Sequence, residues 1–585
     1  MAKHILIPNE QKYLERYGIS LQDRWSAMNE KDRIRTLGDA AAVDNKGLQD
    51  SVDFAEENIL RIVIGFGGRR CLEKITGNAL PTLRAVVWEP DEALFLAYCT
   101  EADLSDIISD ERISIVIGND IEFLEKALRE NVSDNNTFHN KVMAVGKYAV
   151  PDSVYIHELE TVLGKVADEV TFDGCARKAF NNLPCNNLLY TIRTLDNNFI
   201  VSQFLNAVPT RDIPVIIVSA GPSLMKNCME LRRAGNRAIV IAVSHAMKTL
   251  NSFGIRPDMV AVTDASATDF IGSDNEHKHT LLCSVYADRH CREGYDGHII
   301  YHGFPMVNHL FMCDRSVTEQ YAELDTGSVA TDVFSTFMEA GFRTLILCGQ
   351  DLAYDTNGYT HTGEQRENSV FEKNELFSET DGIYGGKVKT RDDWERMRAF
   401  FEKKIGEKPD VQVIDATEGG ALIHGTEIMS LTDAIDSFCK DEYPVSEWIT
   451  GLKKGDENEK RYIDSWFDTE KDRLKRISNF LDEAVRLNTS IREVWNEPEN
   501  WDDGFNAECK RYDVLYSQIM EGNSGDLLRL YCVENIQEYI ENALAVEGDE
   551  NTLKRMEMEC RLFTLMNDKA AELKGYIDEL CTKWK

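Results

Sequence analysis

Between Pro214 and Asp264 three short apolar runs alternate with two helical patterns, and that alternation leaves few folds open. Val215-Ile216-Ile217-Val218 has the length and branching of a buried strand, and it runs directly into the turn Ser219-Ala220-Gly221-Pro222-Ser223. Beyond the turn, Leu224, Cys228 and Leu231 recur at helical spacing. A second run, Ala238 to Val243, is followed by Ala246, Leu250 and Phe253, then by Gly254, Pro257 and a third run, Met259 to Thr263, that closes on Asp264. Strand, helix, strand, helix, strand is the plan of a doubly wound parallel sheet. The Gly-Pro-Ser turn then sits where a helix begins, and the free amides and dipole of that helix start suit an anion. A turn of this composition also serves simply to join two elements.

Downstream segments fit the same sheet. Asp264 to His279 is rich in Ser, Thr, Asp and His without apolar period, which is loop chemistry at a strand's carboxyl end, where such sheets bind ligands. Asp325-Thr326-Gly327-Ser328 precedes Val329, Val333, Phe334, Phe337 and Met338, a second Gly-Ser helix start that can face the same cleft or act as an ordinary N-cap. The run Thr344 to Cys348 leads into Gly349-Gln350-Asp351-Leu352-Ala353-Tyr354 and then Asn357-Gly358-Tyr359-Thr360-His361, groups able to hold phosphate oxygens and move a proton. Gly385-Gly386 reads as a hairpin turn. Trp394 to Phe401 reads as an amphipathic helix, and Val411 to Ile414 as a strand ending at Asp415. Thr417-Glu418-Gly419-Gly420-Ala421 then brings Glu418 and Gly419 to the same edge.

Four segments are expected: an amino-terminal Rossmann-like domain over 1–150, a linking helical segment over 151–210, the central α/β domain over 211–430 and an α-helical bundle over 431–585. In the first, Leu60 to Ile64 closes on Gly65-Phe66-Gly67-Gly68, and Ala85 to Trp88 ends at Glu89, the spacing with which a Rossmann unit holds a ribose. A degenerate α/β domain produces this pattern too. In the last, Trp466, Leu474, Ile477, Leu481 and Val485 follow helical spacing, and the charged positions between them read as solvated faces.

Composition narrows the function. With 65 Lys and Arg against 100 Asp and Glu, the net charge of −35 over 585 residues argues against a nucleic-acid binder or a binder of anionic membranes. The 14 cysteines lack paired metal-type spacing, and no metal site is expected. No apolar run approaches the roughly 20 residues needed to cross a bilayer, and Met1 to Pro8 does not read as a signal peptide, so the protein is expected to be cytoplasmic.

The Ala220-Gly221-Pro222-Ser223-Leu224 turn, the Gly254-Ile255-Arg256-Pro257-Asp258 loop, Asp264, Gly327-Ser328, Gly349 to Tyr354, Thr360-His361 and Thr417 to Ala421 together resemble the motility accessory factor (Maf) family. These are flagellin glycosyltransferases with a central domain similar to that of bacterial sialyltransferases. The resemblance implies transfer of a nonulosonic, sialic-acid-like sugar such as pseudaminic or legionaminic acid, from its CMP ester to Ser or Thr of flagellin, with no obligatory cofactor. It implies that Ala220, Gly221, Pro222, Ser223, Asp264, Thr326, Gly327, Ser328, Gln350, Tyr359 and Gly419 hold the donor nucleotide, and that His361, Asp351, Glu418 and Tyr354 serve the chemistry. An archaeal pterin pyrophosphokinase family shares the Gly-Pro-Ser turn and the strand-end Asp. Under that alternative, Asp264 holds Mg²⁺ between the phosphates of ATP. A flagellin-binding chaperone without turnover is the third reading.

Overall fold

The computed structural model describes residues 4–28, 60–67, 84–110, 112–132, 140–150, 153–180, 182–266, 279–316, 327–362, 378–520, 526–544 and 552–584. Thr326, Asp325 and Gly68 lie outside them. The chain forms two compact units, the first from Met1–Ala179, Val485–Cys509 and Val533–Phe563, the second from Phe180–Ala484, Lys510–Cys532 and Thr564–Lys585. This division differs from the four segments expected from composition. Stretches of the carboxyl-terminal helices fall in each of the two units.

The first unit is built on a parallel sheet of β1 (Leu60–Ile64), β2 (Arg84–Glu89), β3 (Ile113–Ile117) and β4 (Asn140–Ala144), in the order β3-β2-β1-β4. Strand side chains alternate between faces, and each face has its own core. Val63, Val87 and Ile115 pack with Tyr13, Trp25 and Phe95. Ile62, Val86, Trp88 and Val116 pack with Leu124, Leu128, Leu159 and Val166. The strands expected at Leu60 and Ala85 are both present.

At the point where this strand order reverses, between β1 and β4, the crevice is filled from within. Gly65 has φ +95°, and a Cβ there would lie 2.7 Å from the Tyr148 ring. Glu89 is fully buried. It accepts the Phe66 N–H at 2.8 Å, the Asp91 N–H at 3.0 Å and the Tyr148 hydroxyl, so the acid expected at a ribose is committed to protein donors. Burial pushes its carboxyl up from the ordinary range, against the pull of these donors.

The second unit carries a nine-stranded sheet, every neighbouring pair parallel, in the order β15-β14-β11-β6-β7-β8-β9-β10-β5. Its strands are β5 (Phe199–Ile200), β6 (Val215–Val218), β7 (Ile239–Val243), β8 (Met259–Val262), β9 (Thr280–Ser284), β10 (Ile299–His302), β11 (Thr344–Cys348), β14 (Gln412–Asp415) and β15 (Glu427–Ile428). The chain runs outward from β6 to β10, returns to place β11 on the other side of β6, and continues to β14. That reversal makes the β6/β11 boundary the switch point at which α/β sheets bind ligands. β12 (Ser378–Asp381) and β13 (Lys387–Thr390) form a separate antiparallel hairpin whose turn contains Gly385 and Gly386, both with positive φ. Two helices frame the cleft described below, Val329–Glu339 and Asp392–Glu407, and they touch through Phe334 and Phe401, whose rings lie 4.8 Å apart. The linking stretch is not one helix. Leu183–Thr194 is helical, β5 follows, and Val201–Ala207 resumes. Among the described residues no helix is long and apolar enough to cross a membrane.

Removing the Tyr148 hydroxyl withdraws a donor from the buried Glu89. Tyr148→Phe is expected to destabilise the first unit by about 1–3 kcal/mol, read as faster hydrogen exchange of the β1 and β2 amides than in the second unit. Unchanged exchange would mean that the contact contributes nothing.

Candidate functional site

The carboxyl ends of four adjacent strands, β11, β6, β7 and β8, open into a cavity of about 370 Å³. Ser219, Ala220 and Gly221 line it from β6, Val243 and His245 from β7, Asp264 from β8, and Gly349 to Leu352 from β11. Thr360 and His361 close one side, while Gly327 to Ala330 and Arg391, Trp394 and Met397 form the wall contributed by the two framing helices.

The floor is set by Asp351. The Ser223 hydroxyl donates to its Oδ2 at 2.7 Å, and the Ser223 N–H lies 3.1 Å from its Oδ1. The Gly221 N–H donates to the Gly349 carbonyl at 2.8 Å, joining the turns after β6 and β11. A Cβ on Gly221 would stand 2.0 Å from Asp351 Oδ2 and 2.5 Å from the Gly349 oxygen, so no side chain fits there. Gly420, at φ +83°, is equally constrained, since its Cβ would lie 2.1 Å from the Asp351 oxygen. Burial pushes the Asp351 carboxyl up to about 6, against the lowering effect of the Ser223 hydrogen bonds.

The anion expected at the Gly-Pro-Ser turn is therefore the protein's own carboxyl group. The helix expected after this turn is also broken into Leu224–Asn227, a 3₁₀ turn and Leu231–Ala234. The two longer helix starts at the cavity lie elsewhere. Ser328 caps Val329–Glu339, its hydroxyl accepting from the Thr331 N–H at 3.2 Å while its own N–H donates to Thr331 Oγ1 at 2.9 Å. Val329 and Ala330, in the first turn, line the cavity, and the first-turn N–H groups of a helix have no intrahelical partner. The second start is at Arg391.

His361 is held by its loop. The Thr362 N–H donates to the Ala220 carbonyl at 2.8 Å, and Thr360 Oγ1 lies 2.8 Å from His361 Nδ1. Its ring stacks on His245, with centroids 5.5 Å apart. Burial, reinforced by the neighbouring His361 and opposed by Asp264, lowers the His245 pKa, so this imidazole favours its neutral, proton-accepting form.

Of the residues singled out from sequence, Ala220, Gly221, Asp264, Gly327, Ser328, Gln350, Asp351 and His361 line the cavity. Six others stand outside the wall. Pro222 is half-buried in the turn, and Ser223 is buried against Asp351. Tyr354 lies behind Trp394, ring centroids 4.9 Å apart. Tyr359 closes its own loop through a 2.9 Å bond from its N–H to Asp355. Glu418, at φ +63°, turns its carboxylate to the Asn227 amide and the Leu431 N–H, each at 3.2 Å. Gly419 backs onto Ser223 and Lys226, the nearest atoms being 3.3 Å from a Cβ built there. Those two segments brace the floor from below. His245, Arg391 and Trp394 were missed as lining residues, whereas Thr360 stood in the loop singled out with His361. His245 had a signal, as the first ring after a strand of the same sheet, and Arg391 had one too, as an arginine where a helix starts.

Among the described residues no group of three or more His, Cys, Asp or Glu side chains has the geometry to hold a metal ion, and Asp264 offers the cavity a single carboxylate.

Fold and site describe a parallel α/β protein with a ligand cleft at the switch point of its larger sheet. Against known proteins, residues 180–357 match the family model described as 6-hydroxymethylpterin diphosphokinase MptE-like. The structure of the Maf glycosyltransferase from Magnetospirillum magneticum AMB-1 is similar over 94% of this chain and 85% of that one, with a TM-score of 0.57 at 15% sequence identity. The likeness to Maf glycosyltransferases read from the motifs is thus present in the fold along nearly the whole chain. None of the curated proteins matches the sequence.

Beside the cavity, Asp415 at the end of β14 is fully buried. Its Oδ1 accepts the Thr417 N–H at 3.1 Å and its Oδ2 has no partner. Burial raises its pKa from 3.8 to about 6. Between those values the native state holds a proton that the unfolded chain releases, so this group's contribution to stability falls as pH rises through the window. Asp415→Asn, which keeps the acceptor and removes the ionisation, is expected to raise the melting temperature at pH 8, by roughly 2–4 °C, and to leave it nearly unchanged at pH 4.5. Equal shifts at both pH values would show that the carboxyl ionises as in water.

Proposed function

We propose that this protein is a glycosyltransferase that moves a nonulosonic acid from its CMP ester to Ser or Thr hydroxyls of flagellin. The observation that carries this reading is the convergence in one cavity of Gly221, Asp264, Gly327-Ser328, Gln350-Asp351 and His361, motifs spread over about 140 residues of sequence. The whole-length likeness to a Maf glycosyltransferase supports it.

The chemistry has two demands. Negative charge grows on the phosphate as the glycosidic C–O bond breaks, and the positive end of the helix that starts at Val329 and Ala330, both lining the cavity, stabilises it. An acceptor hydroxyl must give up its proton as it attacks. His361 takes it, and stacked His245, kept neutral by burial, adds no opposing charge when His361 becomes cationic. Asp351, bound to Ser223, shapes the floor.

The match to MptE-like diphosphokinases over 180–357 favours one second reading, transfer of a diphosphate from ATP to a pterin alcohol. There Asp264 would be one carboxylate ligand of a Mg²⁺ otherwise held by phosphate oxygens, and the ion would neutralise charge on the transferred group.

Flagellin co-expressed with this protein and a source of CMP-activated nonulosonic acid is expected to gain mass in whole-residue steps of that sugar, and Ser328→Leu to abolish the gain while the protein stays folded. Cytidine monophosphate is expected to raise the melting temperature more than ATP with magnesium. Flagellin of unchanged mass together with the reverse nucleotide ranking would replace the first reading by the second.

A further inference from the structure

Arg391 breaks the rules of its own position. It occupies the N-cap of the Asp392–Glu407 helix, where its side chain makes no capping bond. Ser, Thr, Asp or Asn would be favoured there by about 1 kcal/mol, and a cation faces the positive end of the dipole, an unfavourable arrangement of about 0.3–1 kcal/mol. Asp392, Asp393 and Glu395 in the first turn offset that charge. A cation at the wall of a cavity whose described lining holds no other Lys or Arg points to an anionic ligand.

Its surroundings fix the guanidinium. The group lies over the Trp394 ring, its Cζ 4.2 Å from the centroid, and Trp394 is backed in turn by buried Tyr354. Arg391 Nε lies 2.8 Å from Asp393 Oδ1, a charge contact in which the N–H is not aligned with the carboxylate. The strand leading into Arg391 is tied to the cavity floor, since Thr390 Oγ1 donates to the Leu352 carbonyl at 2.8 Å and the Tyr354 N–H to the Lys389 carbonyl at 2.9 Å. Among the described lining residues Arg391 is the one Lys or Arg, in a chain whose net charge is −35. The cavity therefore has two separate anion-accepting features, the amides of the Val329 helix and a planar fork on the neighbouring helix. The two helices are in contact next to the cavity, a Cβ on Gly327 falling 3.7 Å from Met397 Cγ.

We propose that Arg391 reads the carboxylate of the sugar acid while the Val329 helix start holds the phosphate, so that the cavity selects a donor with two anionic groups over one with a neutral sugar. This rests on the glycosyltransferase reading and adds the basis of its donor choice. A guanidinium clamped on an indole presents paired N–H groups that match a carboxylate in two-pronged fashion, which an ammonium cannot reproduce.

The test is calorimetric titration of the full-length protein with cytidine monophosphate and with CMP-N-acetylneuraminate, the second carrying the carboxylate that the first lacks. The wild type is expected to bind the sugar ester more tightly. Arg391→Met should lower affinity for the ester about tenfold or more while leaving that for cytidine monophosphate within about twofold, and Arg391→Lys should fall between. Equal weakening for both ligands in the Lys variant, with its melting temperature at the wild-type value, would place Arg391 on the phosphate and overturn the assignment. Unchanged affinity for the ester in both variants would overturn it as well. A wild-type protein that binds neither nucleotide defeats the glycosyltransferase reading and this assignment with it, a result distinct from a loss confined to the variants.

Discussion

The rim of the larger sheet depends on one buried contact, the Asp351 carboxyl group against the N–H and hydroxyl of Ser223. A parallel sheet leaves its strand-end loops free of one another unless something ties them, and here the loops after β6 and β11 are tied at the point where strand order reverses. The absence of a side chain at Gly221 follows from that contact, since the Asp351 carboxylate occupies the space a Cβ would need, while at Gly420 the Asp351 main chain does. Glu418 beside it has a positive φ, unusual for a residue with a side chain, and its carboxylate accepts from Asn227 and Leu431. With this turn filled from inside, a ligand must find its anion-binding groups on the next pair of elements out, the helices that start at Ser328 and Arg391.

The two units solve the same problem differently. Each has a parallel sheet with a reversal in strand order, and each places a buried acid beside the first glycine loop, Glu89 in one and Asp351 in the other. In the first unit Glu89 takes the Phe66 N–H and Tyr148 fills the crevice against Gly65, which uses up the groups that a ribose would need. In the second, Asp351 closes only the floor, and the walls remain open to solvent-sized molecules. The strand-and-glycine pattern is the same in both cases, and in the first unit Tyr148, in the turn that follows β4, closes the crevice.

The strands were legible where they were apolar throughout. Val215–Val218, Ile239–Val243, Met259–Val262 and Thr344–Cys348 are buried on both faces of a parallel sheet, and such strands read as continuous branched runs. β9 and β10 escaped because they follow a polar stretch and because β10 ends in Tyr301-His302, polar side chains that are buried here. The site was legible in its strand-end and helix-start members, whose positions follow from the sheet. Ser223, Glu418 and Gly419 could not be separated from the cavity lining by sequence, because a turn residue serves a ligand or a neighbouring loop with the same chemistry. His245 and Arg391 come from elements that read as ordinary, and only the packing of one helix against another brings Arg391 to the cleft. The carboxyl-terminal helices had readable periods but no mark of which unit each stretch would join.

That distribution of helices has a consequence for how the chain is made. Neither unit is continuous: the first needs Val533–Phe563 and the second Thr564–Lys585. A ribosome that has finished the sheet of the larger unit has yet to deliver the helices that complete its core. The segments Lys510–Cys532 and Thr564–Lys585 of the larger unit leave the ribosome after its sheet, and the interval before they arrive is when misassembly and chaperone capture compete with folding.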